Sequence, residues 1–406
     1  MADVRSFPAL QYAPPAGPLG SLLAPPYDVI SADERRTLLA RSPYNAVRLI
    51  LPEVGYEEVA TLLAHWEDEG VLERAEGPQL VAWTQTFTLA DGVERERRTI
   101  LGAVTIEPYE ARVVRPHERT HAGPKEDRLR LTRAVQTNLS PVFGLYPDAE
   151  GAAWAAMGVA GNADAEMTDP DGVVHRFWRI ADPEAHRAVA AALADRWILI
   201  ADGHHRYETA LAYRDEVRAA GGDTEGPHNR VMMGLTALDD PGLVVLPTHR
   251  VLKRWSEGAE AAFERRPVAD LDELVGALDS APAAVPALGL VRPEGMWFLS
   301  GGAPEGASPG ERLDVATLER EVLIPHLGAD QAQLAHDGEL TYVKDAAEAA
   351  ALVASGEAAA VFIMRGIPKS EIAAVSDAAE TMPQKSTYFY PKLLTGVAFH
   401  SLVDAR

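Results

Sequence analysis

No cysteine occurs among the 406 residues. Disulfides, thiolate nucleophiles, zinc–cysteine sites and iron–sulfur clusters are therefore excluded. Positive charge is scarce as well: Lys and Arg number 38 against 60 Asp and Glu, a net charge of −22. Nucleic acid and anionic membrane both need a broad basic face, so neither is expected as a partner. A local basic pocket inside an acidic shell is still allowed. Long apolar runs are missing too, none approaching the ~20 residues that cross a bilayer. The opening Met1-Ala-Asp-Val-Arg-Ser-Phe-Pro8 lacks the apolar core of a signal peptide, and the expected location is cytoplasmic. The remaining composition, 47% apolar and 24% charged, is that of a globular protein long enough for two or three domains.

The most informative stretch lies near the middle of the chain. Trp197 to Ala201 is too short for a helix and rich enough in branched residues for a buried strand. Asp202-Gly203 breaks it. Tyr207, Ala210, Leu211 and Tyr213 then fall at helical spacing. A strand, a tight turn and a helix start form an anion site, because first-turn N–H groups lack helical partners and the helix dipole is positive there. His204, His205 and Arg206 concentrate further donors at that point. The plainer reading is a capped surface helix, with Asp202 accepting from the N–H of His204 or His205 and Gly203 supplying a positive φ.

Elsewhere the pattern alternates between elements. Ser31-Ala-Asp-Glu34 has capping-box spacing, Ala46 to Leu51 reads as a strand, and Tyr56 to Leu72 as an amphipathic helix. Leu80–Leu89 and Val93–Ile106 flank Ala90-Asp-Gly92, a hairpin signal. A helix through about Thr137 and a strand from Pro141 to Tyr146 follow. Residues 148 to 170 read as a peripheral segment with little pattern. Val173–Ile180 reads as a strand and Pro183–Leu193 as a helix. Arg230–Leu238 and Leu243–Pro247 read as strands, the second ending in Thr248-His249-Arg250. Beyond about residue 255 short helices alternate with short strands. The expected fold is α/β (mixed α+β): an N-terminal mixed α/β region over 1–147, a central domain over 148–254 built around the strand–turn–helix box, and a smaller C-terminal α/β lobe over 255–406 that returns to the site.

Three further donor clusters stand out. His117-Glu118-Arg119-Thr120-His121 matches HExxH, in which two histidines one helical turn apart bind zinc and the glutamate activates water. Pro116 before it and Gly123-Pro124 after it would cut the required helix. The same residues, with Arg115, Lys125, Arg128 and Arg130, form a basic island suited to a polyanion, or a solvated run paired with Glu126 and Asp127. The second cluster is Lys385, Ser386 and Thr387, set among Tyr388, Tyr390 and Lys392. The third is Thr248, His249 and Arg250. Four such clusters in so acidic a chain favour their convergence on one anion.

PPYD at Pro25 to Asp28, HERT at His117 to Thr120, ADGHHRYETAL at Ala201 to Leu211, PTHR at Pro247 to Arg250 and MPQKSTYFYPK at Met382 to Lys392, with GPK and DR between Gly123 and Arg128, together resemble the domain of unknown function 1015 family over essentially the whole chain. More distantly, DGHHR at Asp202 to Arg206 looks like the phosphate-binding box of the ParB/sulfiredoxin-like superfamily. That resemblance implies a ParB/sulfiredoxin-like core with nucleotide phosphates held at the start of the box helix. Sulfiredoxin chemistry needs a box cysteine where His204 stands, and ParB-type DNA binding needs a basic helix-turn-helix segment that this chain lacks. Another variant is the ADP-dependent free serine kinase, whose box is similar to DGHHR.

The expected function is thus a nucleotide-dependent phosphotransferase acting on a small hydroxylated metabolite, an amino acid such as serine among the candidates. Gly203, His204, His205 and Arg206 would grip the phosphates of ATP, ADP or CTP. His117, Arg119, Lys125, Arg128, His249, Arg250, Lys385, Ser386 and Thr387 would add to the nucleotide site. Asp202 or Glu118 would take the hydroxyl proton, with His204 beside the reacting groups. Mg²⁺ would bridge the phosphates, although no dedicated carboxylate cluster is evident for it. The alternatives are a nucleotide-binding regulator without turnover and a metal hydrolase using His117, Glu118 and His121. A homodimer is compatible with all three.

Overall fold

The computed structural model describes residues 2–118 and 122–403, the side chains of residues 122–125 excepted. It is mixed α/β and divides into two compact units. One comprises residues 2–116, 122–244 and 391–403; the other comprises His117, Glu118 and Val245–Tyr390.

Ile198, Leu199 and Ile200 are wholly buried, as befits a short apolar strand covered on both faces. Their strand, Ile198–Asp202, lies between Val114–Arg115, which runs parallel to it, and Val142–Tyr146, which runs antiparallel. The nine-stranded sheet continues through Arg230–Ala237, Glu94–Thr105, Leu80–Thr88, Val174–Ile180 and Ala165–Thr168, with Val4–Arg5 also paired to Glu94–Thr105. The expected hairpin is present: Thr88 pairs Glu94, and Asp91 accepts from the Val93 N–H across the turn.

One face of this sheet carries the apolar core. Pro183–Leu193 forms a helix over the expected span, with Pro at its first turn and Asp182 accepting from the Glu184 N–H. It contributes Val189 and Leu193 to a cluster that also holds Ile198, Ile200, Met233, Leu235, Tyr207 and Ala210. The last two come from the helix His204–Ala219. The Tyr207 hydroxyl fixes that helix by donating to Glu107 O at 2.7 Å and accepting from Glu107 N at 2.9 Å.

The second unit is built on six antiparallel strands, ordered Glu264–Val268, Gly295–Ser300, Ala287–Arg292, Ala360–Ile363, His249–Leu252 and Leu340–Val343. The helices Leu271–Ser280 and Ala346–Ala354 cover it through Leu274, Leu278, Ala349 and Val353.

Three local expectations are corrected. Val47–Ile50 is a helical turn, not a strand. A run this short has no decisive periodicity, and buried Asn45 starts the turn by accepting from the Val47 N–H at 2.9 Å. Residues 148–170 are not patternless: Asp148 caps the helix Ala152–Ala156 through the N–H groups of Ala152 and Ala153, and Ala165–Thr168 forms the edge strand. Thr248-His249-Arg250 leads into a strand instead of ending one, because His249 and Arg250 open His249–Leu252. The capping box at Ser31 and Glu34 is present with both of its hydrogen bonds.

Packing on the core face is tight at Gly144. A Cβ there would lie 2.7 Å from Ile198 Cγ2 and 2.9 Å from Leu235 Cδ2 and Met233 Cε. Gly144→Val is expected to destabilise the first unit by roughly 1–3 kcal/mol through overpacking, read as a lower urea midpoint with an unchanged slope. A midpoint equal to that of the parent chain would show that the strand can shift.

Candidate functional site

The strand Ile198–Asp202 ends in a bulge. Ile200 faces Gly144 and Asp202 faces Phe143, so Ala201 is the extra residue in the ladder. A bulge bends its strand and re-aims the residue that follows. Gly203 then takes φ +90° and caps the helix, with no side-chain cap bond. The expected positive φ is confirmed, and the expected Asp202 cap is not formed. Asp202 instead accepts from Lys392 Nζ at 3.0 Å and lies 3.6 Å from Arg206 Nη2. Burial would raise the Asp202 carboxyl, but Lys392, Arg206 and His204 outweigh it and hold it well below the ordinary carboxylate value.

Arg206 folds back over the turn. A Cβ on residue 203 would meet its Cζ, Nε and Nη2 at 2.8–2.9 Å, so glycine serves both the φ and the space. Arg206 Nη1 donates to Pro141 O. His204 is buried and His205 half-buried. The turn thus gathers Arg206, Lys392 and two imidazoles around a helix start whose dipole favours an anion.

A polar network continues from Lys392 beneath the sheet. Lys392 O accepts from Gln85 Nε2 at 3.1 Å, and Gln85 Oε1 accepts from Arg97 Nη2. Arg97 is fully buried, with its guanidinium 4.7 Å from the centroid of the Phe143 ring. Burial pushes Arg97 down to about 9, with Asp240 opposing, so it is still a cation at neutral pH.

In the second unit the structure brings together three of the clusters seen in the sequence. His117 is 1% exposed and its Nε2 lies 2.8 Å from Thr387 Oγ1. Its carbonyl accepts from Met382 N at 2.7 Å, and Glu118 accepts from Ser386 N at 3.2 Å. Glu118 forms a parallel bridge to Met382, so these two residues are not on the helix that HExxH requires. Arg250 is buried and spends its donors on Gln331 Oε1, Thr248 O and Lys385 O. Burial lowers it to about 10. His249 Nδ1 accepts from Met364 N at 3.1 Å. Lys385 is exposed, in a left-handed turn with φ +55°.

Arg128 belongs to the first unit. It stacks 4.6 Å over the Tyr27 ring, donates to Ile50 O and pairs with Asp127. Arg119, His121 and the side chain of Lys125 lie outside the described residues. Among the described residues no group of three or more His, Asp or Glu gathers as a metal site.

Gln85 and Arg97 are the additions that sequence reasoning missed, and Lys392, read there only as part of the second cluster, proves to be the partner of Asp202. Lys392 carried a signal, since it closes the basic-aromatic segment after Met382. Arg97 carried none, because Glu94-Arg-Glu-Arg-Arg98 reads as a solvated charge run.

The family pattern described as "Protein of unknown function (DUF1015)" matches residues 4–316. No curated protein matches the chain. Among solved structures, it is similar to a conserved hypothetical protein from Pyrococcus furiosus, at 15% identity and TM-score 0.39, covering 74% of this chain and 94% of that one. It is also similar to free serine kinase in complex with AMP, at 14% identity and TM-score 0.39, covering 70% and 88%. A third likeness is to C-terminally truncated SbnI from Staphylococcus aureus, at 12% identity and TM-score 0.35, covering 73% and 87%. At such identities and TM-scores these likenesses carry nothing about chemistry.

Two outcomes follow from the geometry. Lys392→Met removes the nearer of the two cations paired with Asp202, and about 2 kcal/mol of stability is expected to be lost at pH 7, below the ~3–5 of a fully buried pair stripped of its partner. Wild-type Asp202, depressed from the ordinary value of 3.8, contributes stability that is present above that value and lost as pH falls through its folded value. The difference between variant and parent should therefore narrow in acid, as denaturant titrations at several pH values would show. A pH-independent difference would mean that lost packing, not charge, is responsible.

His249 gives a window in the second unit. Burial, helped by Arg250 and opposed by Asp345, lowers it from 6.5 to about 4. The unfolded chain takes up this proton first, so the stability present above pH 6.5 is lost as pH falls toward 4, by up to about 3 kcal/mol. His249→Asn keeps an acceptor for Met364 N and should flatten the stability–pH slope of this unit between those limits. An unchanged slope would assign the acid sensitivity to other groups.

Proposed function

Since the chain belongs to the family described as protein of unknown function DUF1015, a description that carries no activity, we propose a function from the site: the turn after Asp202 binds the phosphates of a nucleotide, and the protein is a nucleotide-dependent phosphotransferase acting on a small hydroxylated metabolite. The observation that carries this reading is the arrangement at Gly203. A glycine in the left-handed region starts the helix, and Arg206, Lys392, His204 and His205 stand at or beside that start in a chain of net charge −22. The resemblance of DGHHR to the ParB/sulfiredoxin-like box supports a nucleotide in particular, with ATP, ADP and CTP as the candidates. Serine is one candidate acceptor.

Phosphoryl transfer depends mainly on positioning and on stabilising charge spread over phosphate oxygens. The helix start and Arg206 would orient the phosphates, and Lys392 would balance the charge that develops. Mg²⁺, if it enters with the nucleotide, would offset phosphate charge, and among the described residues no cluster of carboxylates and imidazoles is placed to hold it apart from the nucleotide. Asp202 is assigned an anchoring part in this reading, in place of the proton-accepting one. A general base works best with a pKa near the working pH, and Asp202 is held far below that by its two cations. Its carboxylate suits anchoring Lys392 and Arg206 better than accepting a proton.

That same observation favours a second reading, in which the box binds nucleotide without turnover and the protein is a regulator. Incubation with ATP, ADP or CTP, Mg²⁺ and a pool of amino and hydroxy acids separates the two, with products read by mass spectrometry and nucleotide binding by calorimetry. The phosphotransferase reading expects a phosphorylated product that His204→Ala reduces at least tenfold. Binding without product selects the regulator. No binding of any of the three nucleotides sinks both readings.

A further inference from the structure

Two buried polar atoms beside the box, Arg206 Nε and Thr209 Oγ1, have no hydrogen-bond partner among the described residues. Both residues line one cleft of about 60 Å³ in the first unit, with Tyr27, Arg128, Asn138 and Ser140 also on its wall. Thr209 is 3% exposed and sits on the second turn of the helix His204–Ala219.

The missing bond at Thr209 is informative. A threonine within a helix usually returns its hydroxyl to the carbonyl four residues back. Thr37, Thr61 and Thr132 all do so, each at 3.0 Å. Thr132 does so on the wall of this same cleft. Thr209 alone of these leaves its hydroxyl unpaired, and a buried hydroxyl without a partner costs about 1–3 kcal/mol. Arg206 adds an N–H with no acceptor. The two charged side chains on the wall, Arg128 and Arg206, are both cations.

We propose that this cleft is a binding site for a small carboxylate, one oxygen accepting from Arg206 Nε and the other from the Thr209 hydroxyl. A carboxylate supplies two acceptors and the charge that the wall lacks, and it matches a guanidinium N–H in a charge-assisted bond. The space holds several waters or an acid of about two to four carbons, not a nucleoside. Arg206 lines this cleft and also lies over the turn at Gly203, so it would link a carboxylate there to whatever occupies the turn.

The test is a calorimetric titration of the full chain with glycolate and with propionate, and with propionamide as the neutral isostere. No nucleotide is present, so the outcome does not depend on whether the box binds one. The site predicts saturable binding of at least one acid and none of propionamide. Thr209→Val, which keeps the shape and removes the hydroxyl, should weaken binding at least tenfold while its melting temperature stays the same or rises. Thr209→Ser should retain binding, and Ala210→Val, which narrows the cleft, should weaken it independently. The site is overturned if neither acid saturates the wild-type chain, if propionamide binds equally well, or if Thr209→Val binds as wild type does. The first of these results would leave the cleft a hydration pocket only.

Discussion

One carboxylate sets the terms for the first unit. Asp202 ends a strand whose preceding residues are fully buried, and an ionised group in such a place must be paired to be tolerated. Its partners come from very different distances along the chain. Arg206 is one helical turn on, and Lys392 is 190 residues away. The ion triad thus makes the local geometry of the box depend on the last segment of the chain. That segment is held elsewhere as well: Thr395 and Phe399 exchange backbone hydrogen bonds with Ala24 and Leu10, and Leu393 packs where a Cβ on Gly234 would otherwise lie. A pairing of such long sequence separation forms late, because its loop-closure cost precedes its reward.

The strand–turn–helix was legible because three local signals agreed: a short branched apolar run, a glycine at the break and a helical period afterwards. The helix at Pro183 was legible for the same kind of reason, with an acidic cap, a proline and an apolar stripe in register. The turn Val47–Ile50 was not, because four apolar residues satisfy either period and what decides between them is Asn45, a residue outside the run. Nor was the fate of Asp202. A carboxylate just before a glycine and a helix has the grammar of a cap, and only the bulge at Ala201 and the distant lysine turn it to another use.

The donor clusters illustrate a more general limit. A sequence counts donors, whereas binding depends on those left unspent. Arg250 and His249 look like anion ligands until their bonds are traced, and both are then occupied within the second unit, by carbonyls, by Gln331 and by the Met364 N–H. Lys385 contributes its carbonyl to Arg250 while its side chain is exposed. Arg97 shows the converse. It sits in what reads as a surface charge run, yet it is buried over Phe143 with two of its nitrogens without a partner among the described residues, and it donates to Gln85, which in turn donates to Lys392 O.

These observations rank the basic residues by what they can still do. Arg250 braces the turn at Lys385. Arg97 supports the floor beneath Phe143, the residue that faces Asp202 across the ladder. Arg206 is different in kind, because its guanidinium is fixed by Pro141 O and Asp202 while its Nε is unclaimed among the described residues. A cation held rigidly on two sides and open on a third loses little conformational entropy when it takes a ligand. Gly203 is what permits this, since any larger residue would occupy the space in which the guanidinium lies. The glycine therefore matters less for letting the chain turn than for letting Arg206 lie across the turn once it is made.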